Sequence, residues 1–215
     1  MQSKLKVSVI IPVFNSEKYV GRCIRSLLRQ SLNKKNYELI IINDNSNDNS
    51  LNEIKKYKYS NIKIINNKKN IGLPASLNVG IRNSTGSLIV RVDSDDWVHI
   101  DFLNILSTFL NININIDAVA CDYALTDHKE KPIMEKNCEK YPIGCGIMFR
   151  LQHLLEMNLY DEKFKFAEEE ALRKKFLKNY KITRIPLSLY RYRQHKNNRS
   201  KNKTMVKKYS SKLKK

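Results

Sequence analysis

Asp93-Ser94-Asp95-Asp96 sets three carboxylates within four residues, directly after the apolar run Leu88–Val92. Carboxylates this close repel one another. A hard divalent cation relieves that repulsion, and it bridges readily to phosphate oxygens. The same residues also read as a solvated acidic loop capping the next helix. A second acidic cluster, Glu168-Glu169-Glu170, opens a helical pattern. A carboxylate there can take a proton from a hydroxyl, or can simply favour a helix N-terminus. Two polar clusters accompany them: Pro12 to Asn15, and Asn43 to Ser50.

These clusters need a scaffold. Val7–Phe14, Leu39–Ile42, Ile62–Ile65 and Leu88–Val92 are short, apolar and β-branched, as buried parallel strands are. Helical patterns alternate with them: Tyr19, Val20, Cys23, Ile24, Leu27 and Leu28 recur at three and four, and Leu51–Tyr57 and Leu77–Ile81 follow. Alternation of this kind predicts an α/β fold with a central, mostly parallel sheet flanked by helices. Ligands of such sheets bind beyond the carboxyl ends of the strands, where the polar clusters fall. The second half predicts a helix over Phe102–Leu110, a strand over Asp117–Tyr123 and a hairpin or loop over Asp127–Tyr141. A strand over Gly144–Phe149 and helices over Leu151–Met157 and Glu168–Leu177 follow, then two short strands, Ile182–Ile185 and Leu189–Tyr192, either side of Pro186.

Four motifs in order now carry a resemblance: Val7–Asn15, the loop Asn43-Asp44-Asn45-Ser46-Asn47-Asp48, the segment Asn70–Ile81, and Asp93–Asp96. Together they resemble the family 2 glycosyltransferases, which have the GT-A (Rossmann-like) fold. The resemblance spans Val7 to about Asn198. It implies an inverting, metal-dependent transfer of sugar from a nucleotide-sugar donor, a UDP-sugar above all, to a hydroxyl of a glycan or lipid-linked glycan. By this resemblance Pro12, Phe14 and Asn15 shape the nucleotide pocket and Asp44 accepts a hydrogen bond from the donor base. Asp95 reaches the ribose or the metal, Asp96 the metal (Mn²⁺ or Mg²⁺), and Asp93 orients either. Glu169 matches the family base, Glu168 is its neighbour, and Glu170 is a fallback. Tyr190–His195 resembles a late segment in which Arg191, Arg193 and His195 approach the diphosphate or the metal. Three departures stand out: Asn43 and Asn45 in a loop that is commonly Asp-Asp-Gly-Ser, Glu169 where many relatives have Asp, and Ala171 where many have an acid. They keep a catalytically impaired, sugar-nucleotide-binding relative as an alternative.

Composition bounds these readings. The chain has 215 residues and a formal charge of +19, which attracts anions of every kind. A nucleic-acid-binding protein is the rival from another class, but only Tyr190–Arg199 interleaves aromatics with basic groups, and the strand-end carboxylates would repel a phosphate backbone. A nucleotidyltransferase is disfavoured because Pro12–Asn15 contains no glycine. The expected organisation is one domain over 1–198 and a basic, flexible tail over 199–215, which could hold the protein near an anionic membrane. Cys23, Cys121, Cys138 and Cys145 lack metal-site spacing, and Cys23 and Cys121 read as core residues. No run of about 20 apolar residues occurs, so no membrane span is expected. The Val7–Val13 run is too short for a signal-peptide core. A cytoplasmic enzyme is the expectation, peripheral at the inner face of the membrane at most.

Overall fold

β1 (Val7–Val13) is buried along its whole length, and its side chains alternate between two cores. Val7, Val9, Ile11 and Val13 face one, and Ile10 faces the other. β2 (Tyr37–Asn43) does the same, with Tyr37, Leu39 and Ile41 on the first face and Ile40 and Ile42 on the second. The period of two thus divides a continuous apolar run between two layers of helices. Each such fully buried aliphatic side chain contributes roughly 1.5–3 kcal/mol by leaving water.

In this computed structural model, residues 6–196, 198 and 203–212 are described. α1 (Val20–Leu28), α2 (Ser50–Lys55) and α4 (Phe102–Ile112) cover the first face. α3 (Leu73–Arg82), α5 (Leu151–Glu156) and α6 (Glu168–Phe176) cover the second. α3 lies unusually close to the sheet. A Cβ on Gly80 would stand 2.6 Å from Ile10 and 2.7 Å from Ile42, so only glycine allows this approach.

β3 (Ile62–Asn66), β2, β1 and β4 (Leu88–Arg91) pair in parallel in that order. The sheet continues through β8 (Ile147–Arg150), β6 (Ala118–Thr126), β9 (Ile182–Arg193) and β5 (Trp97–Val98), while β7 (Pro132–Lys136) forms a hairpin with β6. Among these strands, β5, β7 and β8 run against the other six. The expected α/β architecture with a central, mostly parallel sheet is present. Pro12 sits where β1 has already lost β4, which pairs only along Val7–Ile10, so its missing N–H breaks no ladder on that side.

Three elements differ from expectation. The two strands expected around Pro186 are one strand, β9. Its ladder with β6 steps from Ile185 opposite Cys121 to Ser188 opposite Asp122, so Pro186 and Leu187 are accommodated as a bulge rather than a break. β5 has only two residues, too few to produce a period. Within the segment expected to be a flexible tail, Lys203–Lys212 form a helix, α7. The rest of that segment, 199–202 and 213–215, lies outside the described residues.

This topology brings the carboxyl ends of β1, β2, β4, β6 and β9 to one edge. The polar segments after Val13, Asn43, Arg91, Thr126 and Arg193 all emerge there.

Candidate active site

Asp93 to Asp96 form a tight turn at the end of β4, closed by the Asp96 N–H donating to the Asp93 carbonyl at 3.1 Å. Its three carboxylates point to different tasks. Asp93 is gripped by Arg91, whose Nε and Nη2 donate to its two oxygens at 2.6 and 3.0 Å. Asp96 turns inward and is 2% exposed. It accepts from the Tyr190 hydroxyl at 2.7 Å and from the Arg193 backbone N–H at 2.8 Å, and the Cys145 thiol lies 3.9 Å away. Burial, with the charges of Asp95 and Asp93, pushes its carboxyl well above the usual range. In this structure Asp96, expected as a metal ligand, anchors β9 to the β4 turn from inside.

Asp95 faces outward, and its Oδ2 lies 2.8 Å from His195 Nε2. Tyr19 stacks on the histidine ring with centroids 4.8 Å apart. At this separation the two side chains are hydrogen-bonded to each other. A carboxylate suits Mn²⁺ or Mg²⁺, and the pair would have to open around such an ion to hold it. Asp93, Asp96 and Cys145 also bring one ligand atom each within 4.8 Å of one another. That group fits Mn²⁺ or Mg²⁺ poorly. Cys145 is a soft ligand whose thiol is pushed well up by burial, then by Asp93 and Asp96, and Asp93 is already paired with Arg91.

The two late arginines are engaged with protein groups to different degrees. Arg193 is 3% exposed. Its guanidinium donates to the Asp95 carbonyl at 2.8 Å, the His128 carbonyl at 3.3 Å and Glu130 at 3.1 Å, and it lies 4.5 Å from the Trp97 ring centroid. Arg191 donates back to the Ser188 carbonyl at 2.6 Å. The Arg193 guanidinium is thus engaged with protein acceptors through all three nitrogens, whereas Arg191 is engaged, among the described residues, through Nη1 alone. Arg193 builds the floor beneath Asp95, together with Glu130 at the tip of the β6–β7 hairpin.

On the other side of the edge, Phe14 is 47% exposed at the end of β1. Asn15 takes a left-handed φ of 50°, which asparagine tolerates. Its N–H donates to Ser46 Oγ at 3.1 Å and its Oδ1 accepts from Asn47 N–H at 2.8 Å, clasping the two loops together. Pro12 is buried within β1, so it shapes this region only through its backbone. Asp44 is 3% exposed and accepts from Asn67 Nδ2 at 2.8 Å and from the N–H groups of Ile71 and Gly72 at 2.9 Å each. Asp44, expected to meet the donor base, here ties the loop before α3 to the end of β2.

α6 begins after Ala167, which adopts a left-handed conformation at φ 59°. Glu168 is 4% exposed and accepts from Arg91 Nη1 at 3.2 Å. Arg91 therefore bridges Glu168 on α6 and Asp93 on β4. Glu169 lies on the wall of a cavity of about 220 Å³ between α6, β8 and the loop before it. Burial, and then the charge of Glu168, push its carboxyl up to about 7, against the opposing pull of Arg91. Gly144 makes the arrangement possible, because a Cβ there would stand 2.8 Å from Glu169 Cβ and 2.9 Å from Arg91 Nη1. The close approach at this glycine is to α6 and Arg91. A carboxylate poised near neutrality beside a cavity can accept a proton from a hydroxyl held there.

Sequence reasoning had not singled out Arg91, Tyr190, Tyr19 or Glu130. Arg91 alone carried a signal: an arginine inside a β-branched strand must find buried partners. Tyr190 joins both halves of the turn, accepting from Asp93 N–H at 3.1 Å while donating to Asp96.

The family model for glycosyl transferase family 2 matches residues 8–169. A poly(ribitol-phosphate) beta-N-acetylglucosaminyltransferase, TarP of Staphylococcus aureus, is 36% identical over 197 residues, covering 82% of this chain and 60% of its own. An uncharacterized glycosyltransferase of Haemophilus influenzae is 30% identical over 224 residues, covering 90% and 67%. A poly(ribitol-phosphate) beta-glucosyltransferase of Bacillus spizizenii is 40% identical over 97 residues, which are 44% of this chain but only 15% of that protein. The chain thus spans between a small part and about two thirds of these relatives. Among solved structures, S. aureus TarS 1-349 in complex with UDP-GlcNAc matches with a TM-score of 0.80 at 22% identity, over 92% of this chain and 61% of that one. The mannosyltransferase PcManGT of Pyrobaculum calidifontis, in complex with GDP-Man and Mn²⁺, matches with a TM-score of 0.78 at 14% identity, over 100% and 66%. At these identities the structural likeness speaks for the fold.

Proposed function

Because the chain belongs to glycosyl transferase family 2, we propose that it is an inverting glycosyltransferase that moves a sugar from a nucleoside-diphosphate sugar, UDP-linked in the first instance, to a hydroxyl acceptor in glycan or polysaccharide synthesis. The observation that carries this reading is Glu169: a carboxyl raised to about 7 on a cavity wall, joined through Glu168 and Arg91 to the strand-end turn.

In the proposed reaction the acceptor hydroxyl lies in the α6 cavity and loses its proton to Glu169. Its oxygen forms a bond to the anomeric carbon as the bond from that carbon to the diphosphate oxygen breaks, with inversion. The electron pair leaves with the diphosphate. A divalent cation, Mn²⁺ or Mg²⁺, held by Asp95 and His195 would offset the charge that develops there. Arg193 and Tyr19 fix the Asp95–His195 pair from below and from the side. Phe14 and the Asn15–Ser46 clasp are the surfaces on offer to the nucleoside, with Phe14 available for stacking.

Calorimetric titration of UDP tests the donor half. Binding is expected to strengthen at least tenfold with Mn²⁺, and Asp95→Ala should abolish that gain. No nucleotide binding, together with tight and salt-sensitive binding of DNA or RNA, would sink the reading.

The charge of +19 supports a second proposal, peripheral attachment at the inner, anionic face of a membrane, close to lipid-linked acceptors. No helix among the described residues is long and apolar enough to cross a membrane. The protein should co-sediment with phosphatidylserine-containing vesicles at low salt and be released as salt rises. Equal recovery with neutral vesicles would refute attachment by charge.

A further inference from the structure

The cavity beside Glu169 carries a second charged side chain that the reaction above leaves unused. Arg173 lies four residues after Glu169 on α6 and lines the same cavity. Residues four apart on a helix share a face, with Cβ atoms about 5–6 Å from one another. The cavity thus meets the Glu169 carboxylate and a guanidinium one helical turn apart, with the exposed Glu170 also on its lining. Its other walls include Ile147, Phe149, Leu172 and Ile182, which offer neither charge nor hydrogen bonds from their side chains.

Arg173 is half-buried, and burial pulls its guanidinium below the usual arginine range, with Cys138 and Glu139 partly offsetting that. Yet among the described residues it forms no ion pair: neither Glu139 nor Glu170 comes within salt-bridge distance. This contrasts with the other enclosed arginines. Arg91, Arg184 and Arg193 are each paired with a carboxylate, and the half-buried Arg150 and Arg191 donate to backbone carbonyls. A partly desolvated guanidinium facing a cavity has a planar set of donors suited to an oxyanion.

We propose that the acceptor carries an oxyanion, a phosphate or a carboxylate, a few bonds from the hydroxyl that is glycosylated, and that Arg173 binds this oxyanion while Glu169 takes the proton from the hydroxyl. The proposal rests on the glycosyltransferase reading and narrows its acceptor. It also explains why the two groups share one wall. An oxyanion arriving alone next to Glu169 would hold that carboxyl in its protonated form and disable it as a base, and Arg173 supplies the compensating charge.

The test compares three compounds with one ring: glucose, glucose 6-phosphate and glucuronate, each titrated into the full chain in the presence of UDP and Mn²⁺. Glucose 6-phosphate, glucuronate or both should bind at least tenfold more tightly than glucose. Arg173→Gln should remove that preference, Arg173→Lys should retain part of it, and the affinity for UDP should not change. The arm that responds identifies the anion as phosphate or carboxylate. UDP binding intact in both proteins, with no preference for either anionic compound or with a preference that Arg173→Gln leaves untouched, overturns the proposal. Arg173-dependent binding of the anion without any nucleotide binding would instead keep the anion site and overturn the glycosyltransferase reading.

Discussion

Glu169→Gln is expected to lower sugar transfer by about 10²–10⁴-fold, the range for loss of a general base, while leaving the affinity for UDP unchanged. The same carboxyl predicts the pH dependence. Raised to about 7, Glu169 acts as a base only when deprotonated, so kcat/KM should rise tenfold per pH unit at acidic pH and level off above neutrality. A plateau already reached at pH 5 would show that Glu169 is not the titrating base. Stability should run the other way. Between the unfolded value near 4.3 and the folded value near 7, the folded chain holds a proton that the unfolded chain has lost. The group therefore stabilises the fold fully below about pH 4.3, and that contribution is lost as pH rises through 7. Glutamine never has to ionise in this site. Glu169→Gln should thus be at least as stable as the parent above pH 7, measured by thermal unfolding, although it is inactive. Activity lost together with stability would mean that the residue serves packing instead.

The contrast between Glu169 and Asp96 shows what a sequence of this kind makes legible. Strands buried on both faces, such as β1 and β2, appear as unbroken apolar runs, and the alternation of strand and helix then places the carboxyl ends of β1 to β4 on one edge. The acidic turn and the acidic helix start could therefore be located from their position after β4 and at the opening of α6. Which way each side chain points was not encoded at that level. Asp95 and Asp96 are adjacent and identical, yet one faces His195 and the other faces Tyr190 and the interior. That choice is made by β9, whose residues reach the turn from about a hundred positions away. Arg193 is similar. Its charge suggested a ligand for phosphate, but Glu130, arriving on a hairpin, and the rings of Trp97 and Tyr19 enclose it. Long-range partners of this kind leave no period and no local motif. The glutamate at position 169 has a comparable long-range reason: bare Gly144 lets α6 and Arg91 close on each other.

Arg91 is where the two halves of the site meet, and its removal should cost a large share of the chain's stability. Its guanidinium is 9% exposed and serves three acceptor oxygens, two on Asp93 and one on Glu168. Methionine would fill most of the volume but leave Glu168, 4% exposed, facing a site with no counter-charge. Breaking a buried ion pair from one side costs about 3–5 kcal/mol. Arg91→Met should therefore lower the urea midpoint by an amount equal to that loss divided by an unchanged m-value. Arg91→Lys separates charge from geometry. A single ammonium keeps the charge, but it lacks the planar fork that reaches Asp93 with two nitrogens and Glu168 with a third. It should recover part of the stability and not the activity, because Glu168, Glu169 and the Asp93 turn would no longer be held in fixed relation. Arg91 is also the counter-charge that restrains Glu169, so weakening it should move the midpoint of the pH–rate profile above 7. A lysine variant with the parent's midpoint and rate would mean that charge alone suffices and that the bridge between α6 and β4 has no part in catalysis. An upward shift with a reduced rate would tie the ionisation of the base to the same guanidinium that orients the strand-end carboxylate.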